Sequence, residues 1–168
     1  MAKNLKKIFV MAIIGMLAAC SSEGTMKITS SSPAVGLSPN PSVRLIVTTS
    51  TPDAEDVLSD VRSAVLGQLS ATGHYSKVVS NAEPTDLIIT VSINKYAKVS
   101  VGERLLLGAL AGRNRVGTDV KITQSANNVL IKEYTAEGDS AAHPLSSESG
   151  ISDAIREVAK QVAEGAII

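Results

Sequence analysis

The chain predicts an α+β domain: a mainly antiparallel sheet of about four to five strands with two helices packed on one face. Three observations lead there. Period-two alternation recurs at Val43–Thr49, Leu87–Ile93 and Val116–Ile122. Two apolar stripes at three- and four-residue spacing, Val57 to Leu69 and Ile151 to Val162, mark helices. A polar Ser125-Ala126-Asn127-Asn128 turn separates two β-rich runs and reads as the bend of an antiparallel hairpin.

Each element follows from its own chemistry. In the first strand Val43, Leu45 and Val47 alternate with Arg44 and other outward positions. The helix after it has Thr51 as its expected N-cap, Pro52 in the first turn, and Asp53, Glu55 and Asp56 to complement the positive end of the helix dipole. Its stripe is Val57, Val61, Ala64, Val65 and Leu69, and Gly73 supplies the stop. Tyr75–Ser80 reads as a short strand and Asn81-Ala82-Glu83-Pro84 as a turn. Leu87, Ile89, Val91 and Ile93 form one face of the longest alternation. Val116, Thr118, Val120 and Ile122 lead into the Asn-Asn turn, and Val129–Glu137 returns from it. After a polar stretch to Ser149, Ile151, Ile155, Val158 and Val162 trace the last helix, which ends near Gly165.

The amino terminus carries an address. Lys3, Lys6 and Lys7 precede an apolar run from Ile8 to Leu17, followed by small residues before Cys20. That is the three-part layout of a secretory signal peptide. As a helix the run would cover roughly 15 Å, half of a ~30 Å hydrocarbon core, so it cannot serve as a mature span. The sequence Leu17-Ala18-Ala19-Cys20 resembles the lipobox of bacterial lipoproteins. The resemblance implies cleavage before Cys20, a diacylglycerol on its thiol and an acyl chain, typically palmitate, on the freed amine. Several chains hold a protein on a bilayer essentially permanently. Ser21 stands where inner-membrane retention typically uses Asp, which implies the outer membrane, with the domain facing the periplasm. The expected organisation is a signal peptide over 1–19, a lipidated cysteine and flexible tether over 20–42, and a single domain over 43–168. The tether reading rests on seven serines, three prolines and two glycines between Ser21 and Ser42. The alternative is that Met26–Thr29 adds a short edge strand.

Composition narrows the function. The 16 basic and 16 acidic groups balance, but three lysines leave with the signal, so the remainder is mildly acidic. That argues against a nucleic-acid footprint, which needs a basic stripe. A single cysteine excludes internal disulfides and multi-cysteine metal sites. With no Trp, and its one Phe in the signal, the domain lacks the stacking surfaces that bases and sugars use.

The unusual stretch is 102–117. It holds seven consecutive small or apolar residues from Leu105 to Ala111, four glycines, and Arg104, Arg113 and Arg115. It has no phosphate-loop ending and no dinucleotide fingerprint. The functional reading is an exposed apolar loop of Leu105, Leu106, Leu107 and Leu110, rimmed by the three arginines, that meets an envelope protein, another copy or lipid head groups. The plainer reading is that the leucines cover one end of the sheet. With its Gly-Ala-Leu-Ala-Gly-Arg segment, the strand carrying Asp119 and the Ser-Ser-x-Ser-Gly before the last helix, the chain also resembles, over roughly Val43 to its end, small bacterial lipoproteins catalogued only as a domain of unknown function. That family brings no activity or catalytic residue with it.

For catalysis there are His74, His143, Asp139 and Ser140, without a Gly-x-Ser-x-Gly elbow or a zinc-type His pair. Both histidines read as solvent-exposed loop residues. The sequence therefore points to a noncatalytic, membrane-anchored envelope lipoprotein, without cofactor or metal beyond its acyl chains, acting through protein contacts. The alternative is a lipid or small-amphiphile binding module with 105–111 as its lid.

Overall fold

A computed structural model describes residues 22–33, 36–141 and 148–168. Six strands form one sheet: β1 (Glu23–Ser31), β2 (Ser42–Thr49), β3 (Lys77–Val79), β4 (Leu87–Ala97), β5 (Arg115–Gln124) and β6 (Leu130–Asp139). Among the described residues three α-helices accompany them: α1 (Leu58–Ala71), α2 (Val101–Leu107) and α3 (Glu148–Gly165). The spatial order is β1-β6-β5-β4-β2-β3.

The α+β class holds, with three corrections. The sheet has six strands rather than four to five. It is mixed, since β2 pairs in parallel with both β3 and β4 while the remaining pairs are antiparallel. The cause is the helix between β2 and β3: a crossover returns the chain to the same end of the sheet, where only a parallel neighbour can form. Part of the expected tether is a strand as well. Glu23–Ser31 pairs antiparallel with β6, from Glu23↔Asp139 to Ser31↔Lys132, so the sheet begins twenty residues before the expected boundary at 43. The edge-strand alternative was right in kind but too short.

Helices α1 and α3 lie against one face. The α1 stripe buries Val61, Val65 and Leu69, with Val57 and Ala54 from the 3-10 turn Pro52–Val57 that leads into it. Thr51 occupies the position before that turn but its side chain makes no cap bond. Instead its N–H donates to Thr49 Oγ1 at 3.0 Å. Gly73 ends the helix with φ +68, and Asn128 takes φ 56 in the hairpin turn, both left-handed positions that suit these residue types. Beneath the helices, Val43, Leu45, Leu87, Ile89, Val91, Ile93, Val120, Ile122 and Tyr134 are fully or almost fully buried.

Helix α3 comes unusually close to β6. A Cβ on Gly138 would lie 2.3 Å from the Ala154 carbonyl oxygen and 2.4 Å from the Val158 nitrogen. The buried alanines at 154, 159, 163 and 166 permit the same close packing along the helix. The opposite face of the sheet is polar and laced with cross-strand ion pairs, among them Lys121–Glu133 at 3.2 Å. Lys95 and Glu137 pair across the strand between them, directly over Gly117, whose missing side chain leaves the path open.

Candidate contact surface

The segment 98–114 leaves the sheet at the end of β4 and returns at the start of β5. Its neck is closed by Asn114, which is fully buried. Asn114 Oδ1 accepts the Val99 N–H at 2.7 Å, its own N–H donates to Ser140 Oγ at 3.0 Å, and its carbonyl accepts the Ser140 N–H at 2.9 Å. Above this neck the chain forms helix α2 rather than the expected loop. Ser100 and Glu103 make a reciprocal capping box: the Ser100 N–H donates to the Glu103 carboxylate at 2.8 Å, and the Glu103 N–H donates to Ser100 Oγ at 3.2 Å. The Ser100 backbone N–H first, and then the Ser100 hydroxyl, hold the Glu103 carboxyl below its usual range. The Ser-x-x-Glu spacing of Ser100 and Glu103 is the sequence signal for this helix that the loop reading passed over.

The helix presents leucines to solvent. Leu105, Leu106 and Leu107 are 70%, 86% and 54% exposed, and Leu110, in the 3-10 turn Gly108–Ala111, is 89% exposed. Among the described residues, α2 packs against no element except that turn. The leucines therefore do not cover the end of the sheet. Gly112, at φ +89, turns the chain back.

The expected arginine rim is divided. Arg104 belongs to α2. Arg113 donates to Glu23 at 3.1 Å, and Arg115 makes a bidentate pair with Asp139 at 2.6 and 2.8 Å. Both clamp strand ends together: Ala97, Arg115, Asp139 and Glu23 stand in one row across β4, β5, β6 and β1. The ion-pair partner Glu23 was missed because 20–42 read as a tether.

Two of the residues weighed for catalysis have structural roles. Asp139 is committed to Arg115, and Ser140 is buried in the Asn114 neck. His74 is exposed beside the Gly73 turn. His143, together with Leu17, Ala18, Ala19 and Cys20, lies outside the described residues. The leucines line neither of two described clefts. One, of about 640 Å³, lies at the opposite end of the sheet beside Arg44, Asp86, Gln124 and Asn128. The other, of about 350 Å³, lies between Pro39, His74 and Ile168. Neither of these two clefts therefore has 105–111 as its lid. Among the described residues no helix is long and apolar enough to cross a membrane.

The fold is similar to that of PelC. Two structures of a PelC dodecamer from Paraburkholderia phytofirmans match with TM-scores of 0.56 and 0.55 at 18% and 16% identity, covering 83% of this chain and 97% of theirs. A DUF330 protein from Xanthomonas campestris matches with a TM-score of 0.51 at 11% identity, over 80% of this chain and 87% of that one. No protein-family model and no curated protein matches the chain. The likeness to PelC and to the DUF330 protein is one of architecture. It agrees with the resemblance to a domain of unknown function noted in the sequence.

Proposed function

We propose that the protein is a noncatalytic lipoprotein of the bacterial outer membrane, anchored through acylated Cys20, with its domain facing the periplasm and acting through contacts with other molecules. The observation that carries this reading is the leucine-bearing helix α2, held out from the domain on a hydrogen-bonded neck. Four exposed leucines in six residues are costly to keep in water unless something covers them. The lipobox residues Leu17-Ala18-Ala19-Cys20 supply the anchor. The PelC likeness supports self-association, since that protein is described as a dodecamer.

The test is intact-protein mass spectrometry of the membrane fraction. The wild-type chain should begin at Cys20 and carry a diacylglyceryl group and an amide-linked acyl chain. The Cys20→Ala variant should retain its signal and carry no fatty acid. A wild-type protein without acyl mass overturns the reading. Native mass spectrometry in mild detergent then reads the oligomer, and a strictly monomeric acylated protein removes the self-association part.

A further inference from the structure

Resting on the lipid-anchor reading, we propose that Leu105, Leu106, Leu107 and Leu110 insert into the same bilayer leaflet that holds the acyl chains, giving the domain a second membrane contact and a fixed orientation.

The position of the anchor decides the occupant. Glu23 opens β1 and is tied to Arg113 at 3.1 Å. Cys20 is three residues before Glu23, and Leu110 is three residues before Arg113. Three extended residues reach at most about 11 Å. The acylated residue and the nearest exposed leucine are therefore each within one short stretch of chain from the same ion pair. The row Ala97, Arg115, Asp139, Glu23 places the neck of the leucine segment and the start of β1 at one end of the sheet. A domain held there by lipid brings that end to the membrane first.

The shape of the patch fits lipid better than a protein groove. A helix that docks in a groove carries its anchors along one stripe. Leu105, Leu106 and Leu107 are consecutive, so at 100° per residue they spread around about 200° of the last turn, and Leu110 extends the tip. An apolar tip of this kind suits a fluid that surrounds it. Interfacial helices typically lie about 5–10 Å into the headgroup and acyl boundary, a depth of one to two helical turns. The capping box of Ser100 and Glu103 and the Arg113–Glu23 pair lie at the base of the segment, where water and head groups solvate them.

Because Cys20 is the only cysteine and would be acylated, Leu106→Cys introduces a unique thiol for an environment-sensitive fluorophore. Ala126→Cys, in the exposed turn at the other end of the sheet, is the control. The full-length acylated protein is reconstituted in vesicles of phosphatidylethanolamine and phosphatidylglycerol containing a spin-labelled lipid. The fraction that floats with the vesicles is measured. The label at 106 should shift to shorter wavelength and be quenched roughly threefold more than the label at 126, as expected for a boundary depth. Equal, water-like signals at the two positions on floating protein overturn the inference and leave the anchor standing. A blue-shifted label at 106 that the lipid does not quench overturns it in favour of a second copy of the chain. Absence of acyl mass on Cys20 overturns the anchor and this inference together.

Discussion

Asn114 and Ser140 hydrogen-bond each other twice, backbone N–H to Oγ and backbone N–H to carbonyl, at the point where the leucine segment rejoins the sheet. The Asn114 side chain adds a third bond by accepting the Val99 N–H. Asn114→Ala would leave that N–H without its partner, and an unmade buried bond costs about 1–3 kcal/mol. We expect this variant to melt at lower temperature and to show faster amide exchange at Val99 than wild type. Unchanged exchange at Val99 would mean that the neck does not depend on the side chain.

Two glycines give opposite expectations for one substitution. Gly138→Ala drives a methyl into the Ala154 carbonyl and the Val158 nitrogen, both backbone atoms that cannot step aside. Helix α3 must then move off β6, with a loss of about 1–3 kcal/mol or more. Gly67 lies on the exposed side of α1 with nothing within 4 Å of its would-be Cβ. There Gly67→Ala should stabilise by roughly 0.5–1 kcal/mol, the helix-propensity difference. Urea unfolding of the two variants beside wild type checks both signs.

The elements with strong periodicity were legible in the sequence: the β4 alternation, the α1 and α3 stripes, and the Asn127-Asn128 turn each occur where their pattern put them. What escaped was set by partners distant in sequence. Strand β1 is mostly exposed and reads EGTMKITSS, with Met26 and Ile28 as its apolar residues, so the pattern marks a short edge strand and only the ladder to β6 reveals its full length. The parallel pairing of β2 with β4 depends on the crossover through α1, which local pattern does not encode. At the candidate surface, Leu105, Leu106, Leu107 and Leu110 were found from composition alone. The roles of Arg113 and Arg115 were not, since Glu23 and Asp139 are 90 and 24 residues away.

The tyrosines predict an alkaline weakness. Tyr134 is buried and donates to the Val162 carbonyl at 2.6 Å, and Tyr75 donates to the Ala166 carbonyl, so both hold the end of α3. Burial pushes the Tyr75 hydroxyl up to about 12, and burial first, then the nearby Tyr75, pushes Tyr134 further above the ordinary value of 10.0. With raised values in the native state, the folded protein binds more protons than the unfolded chain above pH ~10. The stabilisation is therefore complete below that pH and is lost as pH rises through and beyond it. Tyr134→Phe should cost about 1 kcal/mol near neutrality, because the Val162 carbonyl keeps the Ala166 N–H as a partner. It should also flatten the loss of stability between about pH 9 and about pH 11.5. Denaturant melts across that range, for wild type and variant, measure both effects.

Strand β1 supplies the last prediction, because a boundary drawn from the sequence would discard it. A chain beginning at Ser22 retains the whole ladder from Glu23↔Asp139 to Ser31↔Lys132, whereas one beginning at Ser42 leaves the β6 edge unpaired. It also removes Met26 from beside Gly165 and the Tyr134 ring, and Glu23 from Arg113. An uncovered edge next to buried apolar side chains is a template for strand addition between molecules. We expect the shorter chain to lose at least a few kcal/mol, in the range of the larger single-site effects, and to aggregate on concentration. Comparison of urea midpoints and light scattering for the two chains tests this. Equal midpoints and equal scattering would mean that β1 rests on the sheet without contributing to it, and that the tether begins where the serine-rich composition placed it.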